Sequence, residues 1–459
     1  MCGIAGLMSL DQSMPRKKIL NNLVSKLRHR GPDGFGMHLS RDTGMIHRRL
    51  AVIDLKTGQQ PLSSKGLSLV ANAEIYNYLE LSEIFKKEKF KTKSDCECIL
   101  HLYNTYGLNF TKFLRGMYAL AIHDLEKNLL VLARDPFGIK PLYYLESSEY
   151  FSFSSEPRAL IDSGLTIPKI NSKKRDELLQ LQFTTGRETI FSGIKRVLPG
   201  ETLVISRGKI IKRKRTASLP RKKTTNSNEG SILGKLGGVL EESVNIHQRS
   251  DVPFGMFFSG GIDSSVLLFL MSKITQKSVR AYTIGFSETS VHDETKHASY
   301  LAKILGARHT KVNFTKRDFW TLLPEVASFV DDPVADYAIV PTYKLAKIAR
   351  RDVKVILSGE GGDELFAGYG RYRTSLSSRL FGKKVFYSKG ILDDLNVLKN
   401  PSTDWRKKIS SDEKRFSLFY RSKLQVLQSV DCQDWLAHDL LIKLDRCLMS
   451  HGLEGRTLF

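Results

Sequence analysis

Residues 254–265 read FGMFFSGGIDSS. A short apolar run leads into a Ser-Gly-Gly turn, and the residues after it, SSVLLFLMSKIT, carry a helical pattern. Strand, glycine turn and helix start in that order put backbone N–H groups and hydroxyls where an anion would lie. Ser259, Gly260, Gly261 and Ser264 are therefore read as a phosphate cradle. Asp263, an acid inside an anion cradle, makes chemical sense only with a shared cation, and is read as a magnesium ligand. No G-x-x-x-x-G-K-[ST] pattern occurs, so the cradle is not of the Walker type. A plain Ser-Gly turn between strand and helix would look the same, so the weight falls on what surrounds it.

On the carboxyl side of the cradle, strand-like runs (VPFGMFF, VRAYTIGF, VKVILSG) alternate with helical ones (DETKHASYLAKIL, IVPTYKLAKIARR). That alternation predicts an α/β domain with a parallel sheet. A second glycine-rich turn, VILSGEGGDELFAGY at 355–369, follows one of these strands. Residues 375–459 read as helical and polar-rich. On the amino side, residues 1–205 carry short apolar runs (LVANAEIYNYL, MYALAIHD, LLVLARD, YFSFSS) between turn clusters and are predicted strand-rich. Between the two halves lies a dense basic run, Arg207, Lys209, Lys212, Arg213, Lys214, Arg215, Arg221, Lys222 and Lys223, followed by TTNSNEGS. It reads as a solvated linker. The expected division is 2–205, a linker at 206–230, and 231–459.

The whole chain has 459 residues, 41% apolar and 26% charged, enough for packed cores and against wholesale disorder. No run approaches the roughly 18 apolar residues of a membrane helix. The start, MCGIAGLMSLDQSMPRKK, lacks the basic-then-apolar order of a signal peptide. Five cysteines in this length make no disulfide scaffold. A soluble, reduced, cytoplasmic protein is expected. The net charge of +23 would suit a nucleic-acid binder, but the excess is spread along the chain and no aromatic interrupts the basic run to stack on a base, so no nucleic-acid partner is expected.

Cys2 follows the initiator methionine. With Met1 removed, one residue would carry both a thiol and an α-amine, the latter with an ordinary pKa of about 8, so nucleophile and base would share a position. Its company is RHRGPDG at 28–34, HRRLAVID at 47–54, NAEIYN at 72–77, SDCE at 94–97 and ARDPFGIKPLYY at 133–144. The C-x-C pair Cys96/Cys98 has no second pair at zinc-ligand spacing and reads as two buried cysteines, with Glu97 capping the helix after them.

In that order these motifs strongly resemble the glutaminase domain of the class II, amino-terminal-nucleophile glutamine amidotransferases. The resemblance implies an α+β sandwich of two antiparallel sheets between helices. It implies that Cys2 attacks the glutamine amide, and that Asn72 with the N–H of Ala73 forms the oxyanion hole. Arg49 would grip the glutamine α-carboxylate and Asp95 its α-ammonium, with Leu50, Ile53 and Glu74 completing the glutamine-binding set. The family has glycine where this chain has Ala73. If the position needs φ > 0, alanine there would be strained by about 1 kcal/mol.

SGGxDS resembles the pyrophosphate loop of the ATP pyrophosphatases, and with AYTIGF at 281–286 and SGEGGDE it resembles the asparagine synthetase domain. That resemblance implies ATP as co-substrate with Mg2+ as metal. Phe257, Ile284, Ser358 and Gly359 would lie against the adenosine, Asp363 would join Asp263 at magnesium, and Glu360 would orient or deprotonate the ammonia nucleophile. DDPVADY at 331–337 resembles the segment DEPxAD, which gives Asp332 and Asp336 a substrate role. The domain order resembles that of the glutamine-hydrolysing asparagine synthetases, which implies glutamine, aspartate and ATP as substrates, a β-aspartyl-adenylate, ammonia passing inside the protein, and allows a homodimer. The segment KLDRCLMSHGLEGRTLF, 443–459, resembles one that continues further in the family, so an incomplete synthetase domain is expected. Amidation of another carboxylate, as in surface-polysaccharide synthesis, or a remnant with only glutaminase activity, are the alternatives.

Overall fold

The computed structural model describes residues 2–459 apart from 221–227, 288–293, 378–385, 388, 396, 399–402 and 421. Three sheets organise it. The first two are antiparallel and six-stranded. One has the order β10-β8-β9-β1-β3-β2, built from Ile194–Arg196 (β10), Tyr143–Glu146 (β8), Tyr150–Ser154 (β9), Gly3–Ser9 (β1), Thr43–Arg49 (β3) and Gly34–Ser40 (β2). The other has the order β12-β11-β7-β6-β5-β4, from Lys209–Arg215 (β12), Glu201–Ser206 (β11), Leu129–Arg134 (β7), Gly116–Asp124 (β6), Leu67–Ile75 (β5) and Leu62–Ser64 (β4).

The inner strands, among them β1, β5, β6 and β7, are buried on both faces, which is why they read as nearly continuous apolar runs rather than alternating ones. Along β1, Ile4 and Met8 point into the space between the sheets, where they meet Val70, Ala119, Leu132 and Leu203. Ala5 and Leu7 point the other way, onto Leu20 and Leu23 of the helix Lys17–Lys26. The second sheet is covered on its outer face by the helix Glu97–Tyr106 through Ile99, Leu100, Leu102 and Tyr103. Helix, sheet, sheet, helix is the α+β sandwich expected.

The third sheet is parallel, of order β15-β14-β13-β16-β17: Arg308–Phe314, Arg280–Phe286, Phe254–Phe257, Val355–Ser358 and Glu454–Thr457. One face packs on the helix Ile262–Thr275 through Leu267, Leu268 and Met271, the other on helices Ile339–Ala349 and Leu441–Met449.

Two expectations are corrected. The basic run read as a linker is largely β12, an edge strand paired with β11 from Glu201↔Arg215 to Ser206↔Lys209. Lysine and arginine on an exposed edge discourage pairing with another strand, so the charge is explained by the edge and needs no linker. Arg221, Lys222 and Lys223 lie outside the described residues, and the helix Glu229–His247 begins inside the range assigned to the linker. The second correction is at 454–457: EGRT, read within a helical tract, is a strand, β17, paired in parallel with β16.

Candidate active sites

Asn72, Ala73 and Glu74 lie toward the carboxyl end of β5, held in register by β6 (Asn72↔Ala119, Glu74↔Met117). Cys2, at the start of β1 on the facing sheet, donates its backbone N–H to Asn72 Oδ1 at 2.9 Å. Its thiol lies 3.9 Å from the Leu50 carbonyl, and burial pushes it above the ordinary thiol value. With its oxygen engaged, the Asn72 amide leaves Nδ2 buried and without a partner among the described residues. A buried N–H donor left spare beside a thiol is what a developing oxyanion would use. Ala73 is an ordinary strand residue, not one with positive φ, so the strain considered above does not arise.

Asp95 is buried and accepts from the Ile75 N–H at 2.7 Å; burial, opposed by that bond, raises its carboxyl to about 6. Such a group has room for a cationic partner. Arg49 Nη2 donates to the carbonyls of Ile53 and Asp54, which braces the turn beside Cys2. Leu50 and Ile53 offer backbone here: the Leu50 side chain packs in the core of the parallel-sheet half, with Ile53 against it. Glu97 does not cap its own helix; its carboxylate accepts the N–H groups of Lys91 and Thr92, 2.8 Å each, and so fastens the preceding loop. Cys96 and Cys98 are buried, as expected, and no metal-ligand cluster occurs among the described residues.

Glu74 turns toward the other half of the chain. Its Oε2 is 2.9 Å from Arg456 Nη2 of β17. Arg456 is fully buried; it also donates from Nε to Glu454 and from Nη1 to the carbonyls of His247 and Arg249, 2.7 Å each. Lys140 reaches the same strand, donating to the Gly455 carbonyl at 3.1 Å, and burial lowers its ammonium to about 8. Arg30 donates from Nε to the Cys2 carbonyl at 3.2 Å and from its two terminal nitrogens to Asp445 at 2.7 and 2.9 Å. Arg30, Lys140, Glu454 and Arg456 were not singled out from sequence. They sit inside the quoted runs RHRGPDG, FGIKP and LEGR, but nothing local says that residues over 300 positions apart are partners.

The second site is a cavity of about 390 Å³ at the carboxyl ends of β13, β14 and β16. Nearly all the residues expected there line it: Phe257, Ser259, Asp263, Ser264, Ile284, Ser358, Gly359, Glu360 and Asp363. Gly260 and Gly261 form the turn beneath. Gly260 has φ +83°, and a Cβ there would press on Ala298 at 3.1 Å, so glycine is required twice over. The hydroxyls of Ser259 and Ser264 are 3.0 Å apart, and no side chain caps the helix that starts at Ile262, which leaves its first N–H groups for an anion. The wall also carries Glu294 and Glu364, giving five carboxylates with no lysine or arginine among the described lining residues. Burial raises the carboxyls of Asp263 and Asp363, the latter also through Asp263, and Glu364 stands at about 7.

Asp332 is not part of this cavity, which corrects its substrate assignment. It is 1% exposed and clamped by Arg196 of β10 at 2.7 and 2.8 Å and by the Tyr143 hydroxyl of β8 at 2.7 Å. Burial would raise its carboxyl, but Arg196 holds it below the usual range. It joins the two halves of the molecule. Asp336 is also outside the lining; it accepts from Lys443 Nζ at 2.8 Å, and Lys443 lies 3.4 Å from Glu360.

Two family matches divide the chain at the place where the architecture changes. Residues 1–216 match the glutamine amidotransferase domain and residues 235–459 match asparagine synthase. Asparagine synthetase [glutamine-hydrolyzing] 1 of Bacillus subtilis is 31% identical, over 100% of this chain and 79% of the relative. The chain belongs to the glutamine-hydrolysing asparagine synthetase family. Asparagine synthetase [glutamine-hydrolyzing] 3 of Arabidopsis thaliana is 30% identical over 99% of this chain and 75% of its own length. In family terms the described chain holds both halves, glutamine amidotransferase and synthetase. Among the described residues no helix is long and apolar enough to cross a membrane.

Proposed function

We propose that the protein makes asparagine from aspartate, taking nitrogen from glutamine and energy from ATP, with 2–205 as the glutaminase domain and the part from about 231 onward as the synthetase domain. One observation carries the reading: β17 is at once the edge of the sheet that holds the nucleotide cavity and, through Arg456 and Glu74, a wall beside Cys2 and Asn72. Two chemistries that share a strand are placed to share a product.

At the first site the Cys2 thiolate adds to the glutamine carboxamide carbon. The oxyanion is received by Asn72 Nδ2 and the Ala73 N–H. The C–N bond breaks as the leaving nitrogen takes a proton, ammonia departs, and water then releases glutamate from the thioester. Asp95 pairs with the glutamine α-ammonium and Arg49 with its α-carboxylate. Because the thiol is pushed up by burial, it needs a base at hand, which the freed α-amine of Cys2 supplies once Met1 is removed.

At the second site the Ser259–Ser264 turn holds phosphate, and Phe257 and Ile284 flank the base. Five carboxylates would repel a polyphosphate, so the donor chemistry fits Mg2+ on Asp263 and Asp363, a pair of carboxylates that would share it with phosphate oxygens. Bound there, the metal would supply neutralisation of phosphate charge. The aspartate β-carboxylate adds to the α-phosphorus of ATP, the bond between the α and β phosphates breaks, and pyrophosphate leaves as the acyl-adenylate forms. Glu360 orients the ammonia that displaces AMP.

A turnover assay with glutamine, aspartate, ATP and Mg2+, following glutamate and AMP separately, tests this. Equal glutamate and AMP that both require aspartate, and loss of glutamine-dependent product in Cys2→Ala, are expected. Glutamate without aspartate-dependent AMP would overturn the asparagine reading.

A further inference from the structure

Behind the Glu360 wall of the nucleotide cavity runs the helix Leu441–Met449, and its Lys443 is almost completely buried. A buried ammonium is costly unless paired. Lys443 is paired twice: Nζ is 2.8 Å from Asp336 Oδ2 and 3.4 Å from Glu360 Oε1. Asp336 is itself fixed, its other oxygen accepting the Ala338 N–H at 2.7 Å.

A third carboxyl faces the same ammonium from the i→i+5 turn Leu436–Leu440. Asp439 is fully buried, and neither of its oxygens has a hydrogen-bond partner among the described residues. Burial, and then Asp336, push its carboxyl well above the usual range, toward the neutral form. Cys447, one turn along the helix, donates its thiol to the Ile339 carbonyl at 3.4 Å, and burial raises it to about 12, so it carries no charge. Arg371 acts on Asp439 from the far side but is bound to Asp431 at 2.8 Å. Among the described residues, Asp336, Glu360 and Asp439 act on the Lys443 charge, with Cys447 beside it and Arg371 beyond Asp439. One ammonium links a fixed carboxylate to a carboxylate in the cavity wall. Among the described residues lining the cavity, Glu360 shares its space with four more acids and no cation.

We propose that Lys443 is the positioning residue for Glu360: anchored by Asp336, it holds the Glu360 carboxylate in one place among the neighbouring acids, ready to accept an N–H from the incoming ammonia. This rests on the reading in which Glu360 faces the ammonia nucleophile. One carboxylate oxygen tied to the ammonium leaves the lone pairs of the other for the nucleophile. Leucine or methionine at 443 would fill the same space in the helix core, so the choice of lysine belongs to the charge.

The test is synthesis from free ammonium, aspartate and Mg-ATP across pH, on Lys443→Met, Lys443→Arg and Glu360→Gln in the full chain. Lys443→Met is expected to lower kcat by about 10²-fold with the KM for ATP within about twofold, on the scale of one general-base contribution. Its acid limb should move up by about one pH unit, since a carboxylate that loses its cation binds its proton more tightly. Lys443→Arg should restore most of both. An infrared difference titration against Glu360→Gln reads the Glu360 ionisation without turnover and should show the same upward move. If Lys443→Met fails to fold, the double variant Lys443→Met/Asp336→Asn removes the anchor pair together and is read in its place, with the same expectation. Wild-type kcat and acid limb in Lys443→Met, beside an inactive Glu360→Gln, would overturn the proposal and leave the role of Glu360 standing. A fully active Glu360→Gln would overturn that role instead; the infrared titration then decides for Lys443 alone, and an unmoved Glu360 ionisation overturns it.

Discussion

The amide nitrogen of Asn72, unpaired among the described residues, and the raised carboxyl of Asp95 are the two residue-scale features on which the proposed glutaminase reading rests. On the proposed reading, Asn72→Ala keeps the strand and loses the donor, so kcat for glutamine hydrolysis should fall by about 10²–10³-fold, measured as glutamate release at saturating glutamine. Asp95 stands at about 6, above its ordinary value near 4, so the folded chain holds this proton more tightly than the unfolded one. Its ionisation therefore subtracts stability as pH rises between those values, and a bound ammonium would repay that cost. The glutamine KM should accordingly rise as pH falls through about 6, and Asp95→Asn should raise the KM at pH 8 and flatten the profile. Cys2, Asn72 and Asp95 entered as expectations from a resemblance carried by local motifs, and the structure brings Cys2 and Asn72 within hydrogen-bond distance. Asp332 was misjudged for the same reason: DDPVADY looks like a substrate segment, and only the fold shows Arg196 and Tyr143 closing on it.

At the scale of the element, the two misread segments are both edge strands. The basic run at 209–215 lacked the apolar alternation that marks a strand, because an edge strand needs only one side covered and here presents its lysines to solvent. EGRT at 454–457 carries two charged residues and no strand pattern at all, yet Glu454 and Arg456 are fully buried. They are tolerated because each meets the other's charge, at 2.7 Å, with Glu74 and two carbonyls taking the rest of the guanidinium. Removing one partner of such a set strands the others. Arg456→Met should cost about 3–5 kcal/mol, read as a lower urea midpoint. It should also weaken glutamine hydrolysis, since Glu74 next to Asn72 would lose its partner.

The whole molecule is held by ion pairs that cross between its halves. Asp332 binds Arg196, Asp445 binds Arg30, and Glu156 lies 3.9 Å from Arg446, which in turn holds Asp331 at 2.8 Å. Burial would raise the carboxyls of Asp332 and Asp445, yet their arginines hold both below the ordinary range. Depressed carboxyls contribute stability that is full above their unfolded value and is lost as pH falls through the folded one. Acid below about pH 4 should therefore loosen the junction of the halves, seen as a falling urea midpoint whose slope with pH is shallower in Asp332→Asn.

Read from its residues alone, the sequence determined a strand-rich amino half, a parallel sheet and a glycine turn under Ser259 and Ser264; the antiparallel sandwich and the roles of Cys2 and Asn72 came as expectations from a resemblance. The first three depend on neighbours within a few residues or on the periodicity of burial, and both are written along the chain. Tertiary structure alone decided that Asp332 is a latch, that Lys443 stands behind Glu360, and that β17 edges the parallel sheet while its Arg456 meets Glu74. Each of these rests on a buried charge, and a buried charge takes its meaning from a partner that can lie anywhere in the sequence, because desolvation makes the pairing obligatory and leaves its place in the chain open.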